Sequence, residues 1–211
     1  ITPFLHQGGP QEIIVRVYDP TELGGQPRGK QTNNIGGIMY TPTTGIWQTV
    51  WIEPVASQSI QDLKIVPDVD RSEVHLKVNT TDPATQSTVT ILVDDGDMVV
   101  KKFEGNANTE LNIPISNPKL WSPDRPFLYN LEVSMNAGGS TRHKVSSYFG
   151  MRKIQIGKVG KFNRILLNNK YVFERGPLDQ GFWPDGIYTA PTDDALKSDI
   201  ASMKALGFNM V

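Results

Sequence analysis

The chain has 211 residues, 38% of them apolar and 20% charged, and its 21 basic and 22 acidic side chains almost cancel. That composition suffices for a packed core in one or two domains, and the charge balance gives no footprint for nucleic acid or an anionic membrane. No apolar run reaches the length of a membrane-spanning helix, and without cysteine the chain can form neither disulfides nor thiolate metal sites. Ile1-Thr2-Pro3-Phe4 lacks the basic and apolar regions of a signal peptide, which a truncated start would also have lost, so the residues leave the compartment open.

In chain order, Glu12 to Tyr18 alternates Ile13, Val15 and Val17 against Ile14, Arg16 and Tyr18. Gly45 to Pro54 carries Ile46-Trp47-Gln48-Thr49-Val50-Trp51-Ile52. Both stretches read as strands, with a Gly-rich loop between them. Two strands cannot bury their faces alone. This first block therefore reads as the tail of a sandwich domain or as strands packed on a neighbour. Trp47 and Trp51 share a strand face, which suits either packing or a platform for a sugar ring.

From about Ser59 to Ile156 the chain looks like a complete domain. Strand-like runs occur at Leu63 to Val66, Val74 to Val78, Thr88 to Val93, Met98 to Phe103, Thr109 to Ile113, Leu128 to Met135 and Lys144 to Phe149. Short strands separated by Asp, Gly, Asn and Pro clusters predict an immunoglobulin-like antiparallel β-sandwich without its disulfide. Asp94-Asp95-Gly96-Asp97 lies between two runs. It lacks the downstream Glu of a calcium-binding EF-hand loop, and Asp-Gly between alternating strands is a hairpin signal, so a turn is expected. Trp121 is expected to plug one end of the sandwich, and Tyr129 to form a tyrosine corner. His6, His75 and His143 are far apart without ligand spacing, so no metal site made by these histidines is expected.

The last block reads as an apolar strand (Ile165, Leu166, Leu167), the segment Arg175-Gly176-Pro177-Leu178-Asp179, a helix from Thr192 to Leu206, and a second strand opening at Phe208-Asn209-Met210-Val211. Thr192 can cap the helix, with Asp193 and Asp194 in the first turn where the dipole favours negative charge. Leu196, Ile200, Met203 and Leu206 form an apolar stripe suited to covering a sheet. A strand, a crossover helix and a new strand make a βαβ unit, which is not a complete fold. The chain is expected to stop where a larger domain begins.

Five stretches together resemble the family 2 glycoside hydrolases, the β-galactosidase and β-glucuronidase group. They are Pro27-Arg28-Gly29-Lys30-Gln31, Gly45 to Glu53, Leu120-Trp121-Ser122-Pro123-Asp124-Arg125-Pro126-Phe127-Leu128-Tyr129, Phe149-Gly150-Met151-Arg152-Lys153-Ile154, and Leu167 to Gly176. They occur in the family's order from the first block to the last. The resemblance implies three parts: the C-terminal portion of a jelly-roll sugar-binding domain over 1–57, an immunoglobulin-like sandwich over 58–156, and the start of a catalytic (β/α)8 barrel over 157–211.

The same resemblance implies retaining hydrolysis of β-glycosidic bonds by the parent protein, which needs an acid/base and a nucleophilic carboxylate about 5–5.5 Å apart. In the family both are glutamates on later barrel strands, and the Asn-Glu pair of the acid/base motif is absent: Asn209 precedes Met210. No catalytic residue is therefore assigned, and the chain alone is expected to be inactive. The resemblance also implies a remnant of the sugar site at the C-terminal end of the first barrel strand, formed by Arg175, Asp179, Trp183 and Asp185. Arg175 would pair with a catalytic carboxylate at the pocket floor or make a structural ion pair. Asp179, Trp183 and Asp185 would contact sugar or serve turns and packing. Arg28 and Lys30 would approach the barrel mouth or form a solvated loop. No His follows Arg175-Gly176, a departure from the family pattern, so substrate choice does not follow by analogy with β-galactosidase. The partner implied is a carbohydrate substrate, with no nucleic acid, membrane, metal or cofactor; a homo-oligomer and a bacterial periplasmic or secreted setting fit the family, with a cytoplasmic one as the alternative. A free carbohydrate-binding module and an adhesion or spacer sandwich are the competing readings.

Overall fold

The computed structural model describes residues 1–137 and 140–211. By contact they divide into two units, one of Ile1–Trp51, Pro177–Asn209 and Val211, the other of Ile52–Gly176 and Met210.

The second unit holds the sandwich. Strands β1 (Ile60–Asp68), β2 (Glu73–Thr80) and β5 (Glu110–Pro114) form an antiparallel sheet in the order β1-β2-β5. Strands β3 (Thr88–Asp94), β4 (Val99–Asn106), β6 (Tyr129–Ala137) and β7 (Ser140–Phe149) form the other, in the order β4-β3-β6-β7. Each of the seven runs expected from alternation falls on one of these strands, those from Met98, Thr109 and Leu128 starting one residue before the strand does. Because side chains alternate between faces, Val74, Leu76 and Val78 of β2 point inward with Val89, Ile91 and Val93 of β3 and Leu131, Val133 and Met135 of β6. All nine are at most 1% exposed. Burying one such side chain fully is worth about 1.5–3 kcal/mol. A slip of one residue would turn the whole row to solvent, so the inward face fixes the register.

The end of the sandwich is closed as the sequence suggests. The Tyr129 hydroxyl accepts the Lys119 backbone N–H at 2.7 Å, and its ring stacks on Phe149 with centroids 5.3 Å apart. Half-buried Trp121 lies against Gly150, under the Arg152 guanidinium at 4.8 Å from its ring. The Asp94–Asp97 segment is a turn. Gly96 has φ 96°, a conformation that favours glycine, and its N–H bonds Asp94 Oδ1 at 3.0 Å. Asp95 Oδ1 accepts from the Met98 N–H at 3.1 Å, while Oδ2 meets Lys119 Nζ at 2.6 Å.

Beyond the sandwich, β8 (Ile154–Val159), β9 (Phe162–Leu167) and β10 (Lys170–Tyr171) form a third antiparallel sheet. Asn168 and Asn169 join β9 to β10 with φ of 50° and 66°, as a two-residue hairpin with positive φ at both positions requires. Their side chains tie this hairpin to the sandwich: Asn168 Nδ2 donates to the Trp121 carbonyl at 2.9 Å, and Asn169 Nδ2 to Asp70 Oδ1 at 2.7 Å.

Two expectations are corrected. Ile165 to Leu167 is the end of β9, antiparallel to both neighbours, and residues 208–211 join no ladder, so the described residues hold no parallel βαβ unit. The apolar run reads equally well for a hairpin strand, and only pairing distinguishes the two. Glu12 to Tyr18 and Gly45 to Pro54 are not strands either. Alternation becomes a strand only where a neighbour completes the ladder, and Ile14 stays 84% and Val50 66% exposed. The helix forms in the first unit as α1 (Asp193–Ala205), with Thr192 Oγ1 accepting from the Ala195 N–H at 3.1 Å. Its apolar stripe is open: Leu196, Ile200 and Leu206 are 49%, 54% and 78% exposed.

Candidate functional site

The first unit contains a groove of about 840 Å³ built by two loop systems. In the earlier one, Gly29 (φ 57°) lets the chain reverse so that the Gln31 N–H bonds the Arg28 carbonyl at 3.1 Å. The Tyr40 N–H then returns to the Lys30 carbonyl at 2.9 Å, bringing Lys30 and Tyr40 together. Gln31 Oε1 fixes the following turn by accepting the Thr43 N–H at 2.7 Å. Close by in sequence, the Thr32 hydroxyl donates to Glu22, the chief reason its carboxyl is held below the ordinary range, with Asn33 and the Arg28 charge acting the same way.

The second loop system runs from Leu178 to Thr189. Asp179 Oδ1 accepts the Gly181 N–H at 2.8 Å. Trp183 and Ile187 exchange backbone bonds of 2.8 and 3.1 Å. At Gly186 a Cβ would overlap the Thr189 carbonyl oxygen. These closures set an aromatic cluster along the groove. Phe182 stacks on Tyr40 with centroids 3.9 Å apart and planes at 15°, and Tyr188 meets Phe182 at 5.7 Å and Trp47 at 5.1 Å edge-on. Gln180 Oε1 accepts from the Tyr40 hydroxyl at 2.5 Å and from Lys30 Nζ at 3.1 Å. A concave surface with flat aromatic faces and a few fixed polar groups suits a ligand that has apolar C–H faces and a rim of hydroxyls.

The expected site residues fall around this groove unevenly. Asp179, Trp183 and Asp185 belong to the second loop, yet the groove is lined by the residues interleaved with them, Leu178, Gln180, Phe182 and Gly186. Asp179 and Asp185 are exposed and Trp183 is half-buried. Arg175 lies in the other unit, exposed, with its carbonyl accepting the Met210 N–H at 3.2 Å. Lys30 and Arg28 line the groove rather than serving only as a solvated loop, and Trp47, 54% exposed, lines it too. Tyr40, Gln180, Phe182 and Tyr188 were not anticipated. The signal available for them was the density of aromatics from Phe182 to Tyr188.

The fold defines the class of the larger unit: an immunoglobulin-like β-sandwich. Residues 58–152 match the family model described as Glycosyl hydrolases family 2. A putative β-glucuronidase of Formosa agariphila is 29% identical over the whole of this chain and 25% of its own length. A β-galactosidase of Lactococcus lactis is 27% identical over 80% of this chain and 16% of its own. The β-glucuronidase of Ruminococcus gnavus shares the fold with a TM-score of 0.59 at 21% identity, over 72% of this chain and 25% of that one. Residues 58–152 carry the match to glycosyl hydrolase family 2, and the chain spans a quarter or less of the length of these relatives.

Proposed function

We propose that this chain is the non-catalytic part of a retaining β-glycosidase of the β-galactosidase and β-glucuronidase group, acting in carbohydrate degradation. In this reading residues 1–57 close a sugar-binding domain, residues 58–156 are the spacer sandwich, and residues 157–211 lead into a catalytic barrel that carries the two glutamates. Arg175, Asp179, Trp183 and Asp185 belong to the sugar site of the whole enzyme, and the chain itself contributes binding rather than bond cleavage.

The observation that carries the reading is the aromatic groove of the first unit, with the Tyr40–Phe182 stack and the Gln180 amide held between Tyr40 and Lys30. A pyranose laid on the Tyr40 or Tyr188 ring would bury its C–H face and turn its hydroxyls toward Lys30 and Gln180. The test is a fluorescence titration of the chain with methyl β-galactoside and methyl β-glucuronide, following the Trp47 signal in wild type and in Trp47→Phe, Tyr40→Ala and Phe182→Ala. Saturable quenching that disappears in Trp47→Phe and weakens in the other two supports the reading. Identical affinity in all the groove variants would remove the groove from sugar recognition.

A further inference from the structure

The outward face of the β1-β2-β5 sheet carries a cluster that the groove does not involve. Asp68 ends β1 and lies directly across from Glu73 of β2, so two carboxylates oppose each other on neighbouring strands. Like charges in that position destabilise a sheet unless a cation lies between them. His75, two residues along β2 on the same face, brings Nε2 to 3.0 Å from Glu73 Oε1 and 3.9 Å from Asp68 Oδ2. From β5, Glu110 Oε1 approaches the other ring nitrogen, Nδ1, at 3.4 Å. Arg71 of the β1–β2 turn lies 3.9 Å from Asp68 Oδ2 and 3.7 Å from Glu73 Oε1, with its side chain 70% exposed, and Lys77, two residues beyond His75, stands across from Glu110.

We propose that Asp68, Glu73 and His75 bind a divalent transition-metal ion such as Zn²⁺, with Glu110 orienting the histidine. A neutral imidazole has one N–H and one lone pair. If the N–H sits on Nδ1 and faces Glu110, the Nε2 lone pair faces the two carboxylates, where only a cation makes the arrangement favourable. A carboxylate on the far nitrogen of a metal-bound histidine is the usual means of fixing that tautomer. The charges fit as well: with Arg71 turned away, the two ligand carboxylates of Asp68 and Glu73 leave two negative charges, which a divalent ion neutralises, while Lys77 stands opposite Glu110. Tetrahedral zinc with bonds of about 2.1 Å separates its ligand atoms by about 3.4 Å. The separations of 3.0 and 3.9 Å bracket that spacing, and all three donor atoms lie within 4.8 Å of one another. One nitrogen and two oxygens favour zinc or its neighbours over calcium, which takes six or more oxygens. Arg71 swings into solvent when the ion enters. Bound there, the ion staples β1 to β2 at their shared turn.

The experiment is Zn²⁺ titration of the EDTA-treated chain against a chromophoric chelator, with thermal melting alongside. One equivalent of zinc should bind, and zinc should raise the melting temperature. His75→Ala and Glu73→Gln should lose both effects. Glu110→Gln should bind about 10–100-fold more weakly through loss of the orienting carboxylate. His6→Ala and His143→Ala should behave as wild type. Melting each variant in EDTA shows that it is folded, and Glu110→Gln, altered at an exposed side chain, keeps the test available if His75→Ala is not. No saturable zinc binding, one equivalent retained by His75→Ala, or equal affinity for Ca²⁺ would each overturn the proposal.

Discussion

Tyr129→Phe isolates one hydrogen bond in the closure of the sandwich. The hydroxyl accepts the Lys119 N–H at 2.7 Å and Tyr129 is 2% exposed. The phenylalanine ring keeps the stack on Phe149 at 5.3 Å and the edge contact with Phe127 at 4.9 Å, so the substitution opens no cavity. What remains is a backbone N–H without its acceptor, which costs about 1–3 kcal/mol when buried. Lys119 is half-exposed and water reaches part of it, which sets the expected loss in the lower half of that range, about 1–2 kcal/mol. For a sandwich of roughly 100 residues this corresponds to a fall of about 4–16 °C in Tm. Urea unfolding should show a lower midpoint with an unchanged slope, and the Lys119 amide should lose protection from hydrogen exchange. A variant within about 0.3 kcal/mol of wild type and an amide still protected would refute the reasoning, because the bond would then contribute nothing to the closure.

Three further outcomes are expected. The Asp95 carboxyl is pulled down to about 2, first by Lys119 and then by the Met98 N–H. Its stabilising contribution is therefore complete above the unfolded value of 3.8 and is lost as pH falls from there toward about 2. Asp95→Asn should be less stable than wild type at pH 7, the difference closing across that window in acid-unfolding curves; a constant difference would contradict it. A Cβ at Gly176 would lie 2.6 Å from the Met210 carbonyl oxygen and 2.9 Å from its carbon, both backbone atoms, so Gly176→Ala should cost about 1–3 kcal/mol, read as faster exchange of the Met210 amide. In the full-length enzyme Arg175→Ala should lower kcat/KM far more than Lys197→Ala. The Lys197 side chain is 77% exposed beside Asp194, and changes at such surface sites are worth less than about half a kcal/mol. Equal activities in variants shown by melting to be folded would leave Arg175 a structural residue.

The sandwich was legible because its strands bury one face and leave the other wet: Val74, Leu76 and Val78 alternate with Glu73, His75 and Lys77, and period two survives in the sequence. The Asp-Gly turn and the capped helix were legible because their signals are local. The hairpin at Asn168-Asn169 was missed, although two residues suited to positive φ stand between apolar runs. A crossover reading explained the same apolar residues equally well. The first block misled because its alternation was not matched by a partner strand, and pairing is a property of the chain elsewhere. Beside the groove, the side chains that stand out in the sequence are the charged and indole ones, Asp179, Trp183 and Asp185. Alternation along the loop brings Gln180 and Phe182 to the cavity instead, and that parity depends on the turn that Asp179 itself closes. The cluster at His75 escaped because its members meet across β1, β2 and β5, so no spacing along the chain reveals it.

The most direct measurement is hydrolysis of aryl β-galactoside and aryl β-glucuronide by the purified chain and by the enzyme extended through the barrel. The account predicts turnover with retained anomeric configuration by the extended enzyme and none by residues 1–211, since the transition state needs both carboxylates. Turnover by the chain alone, above what contaminants supply and abolished by a substitution within it, would contradict the claim that its role is binding and support.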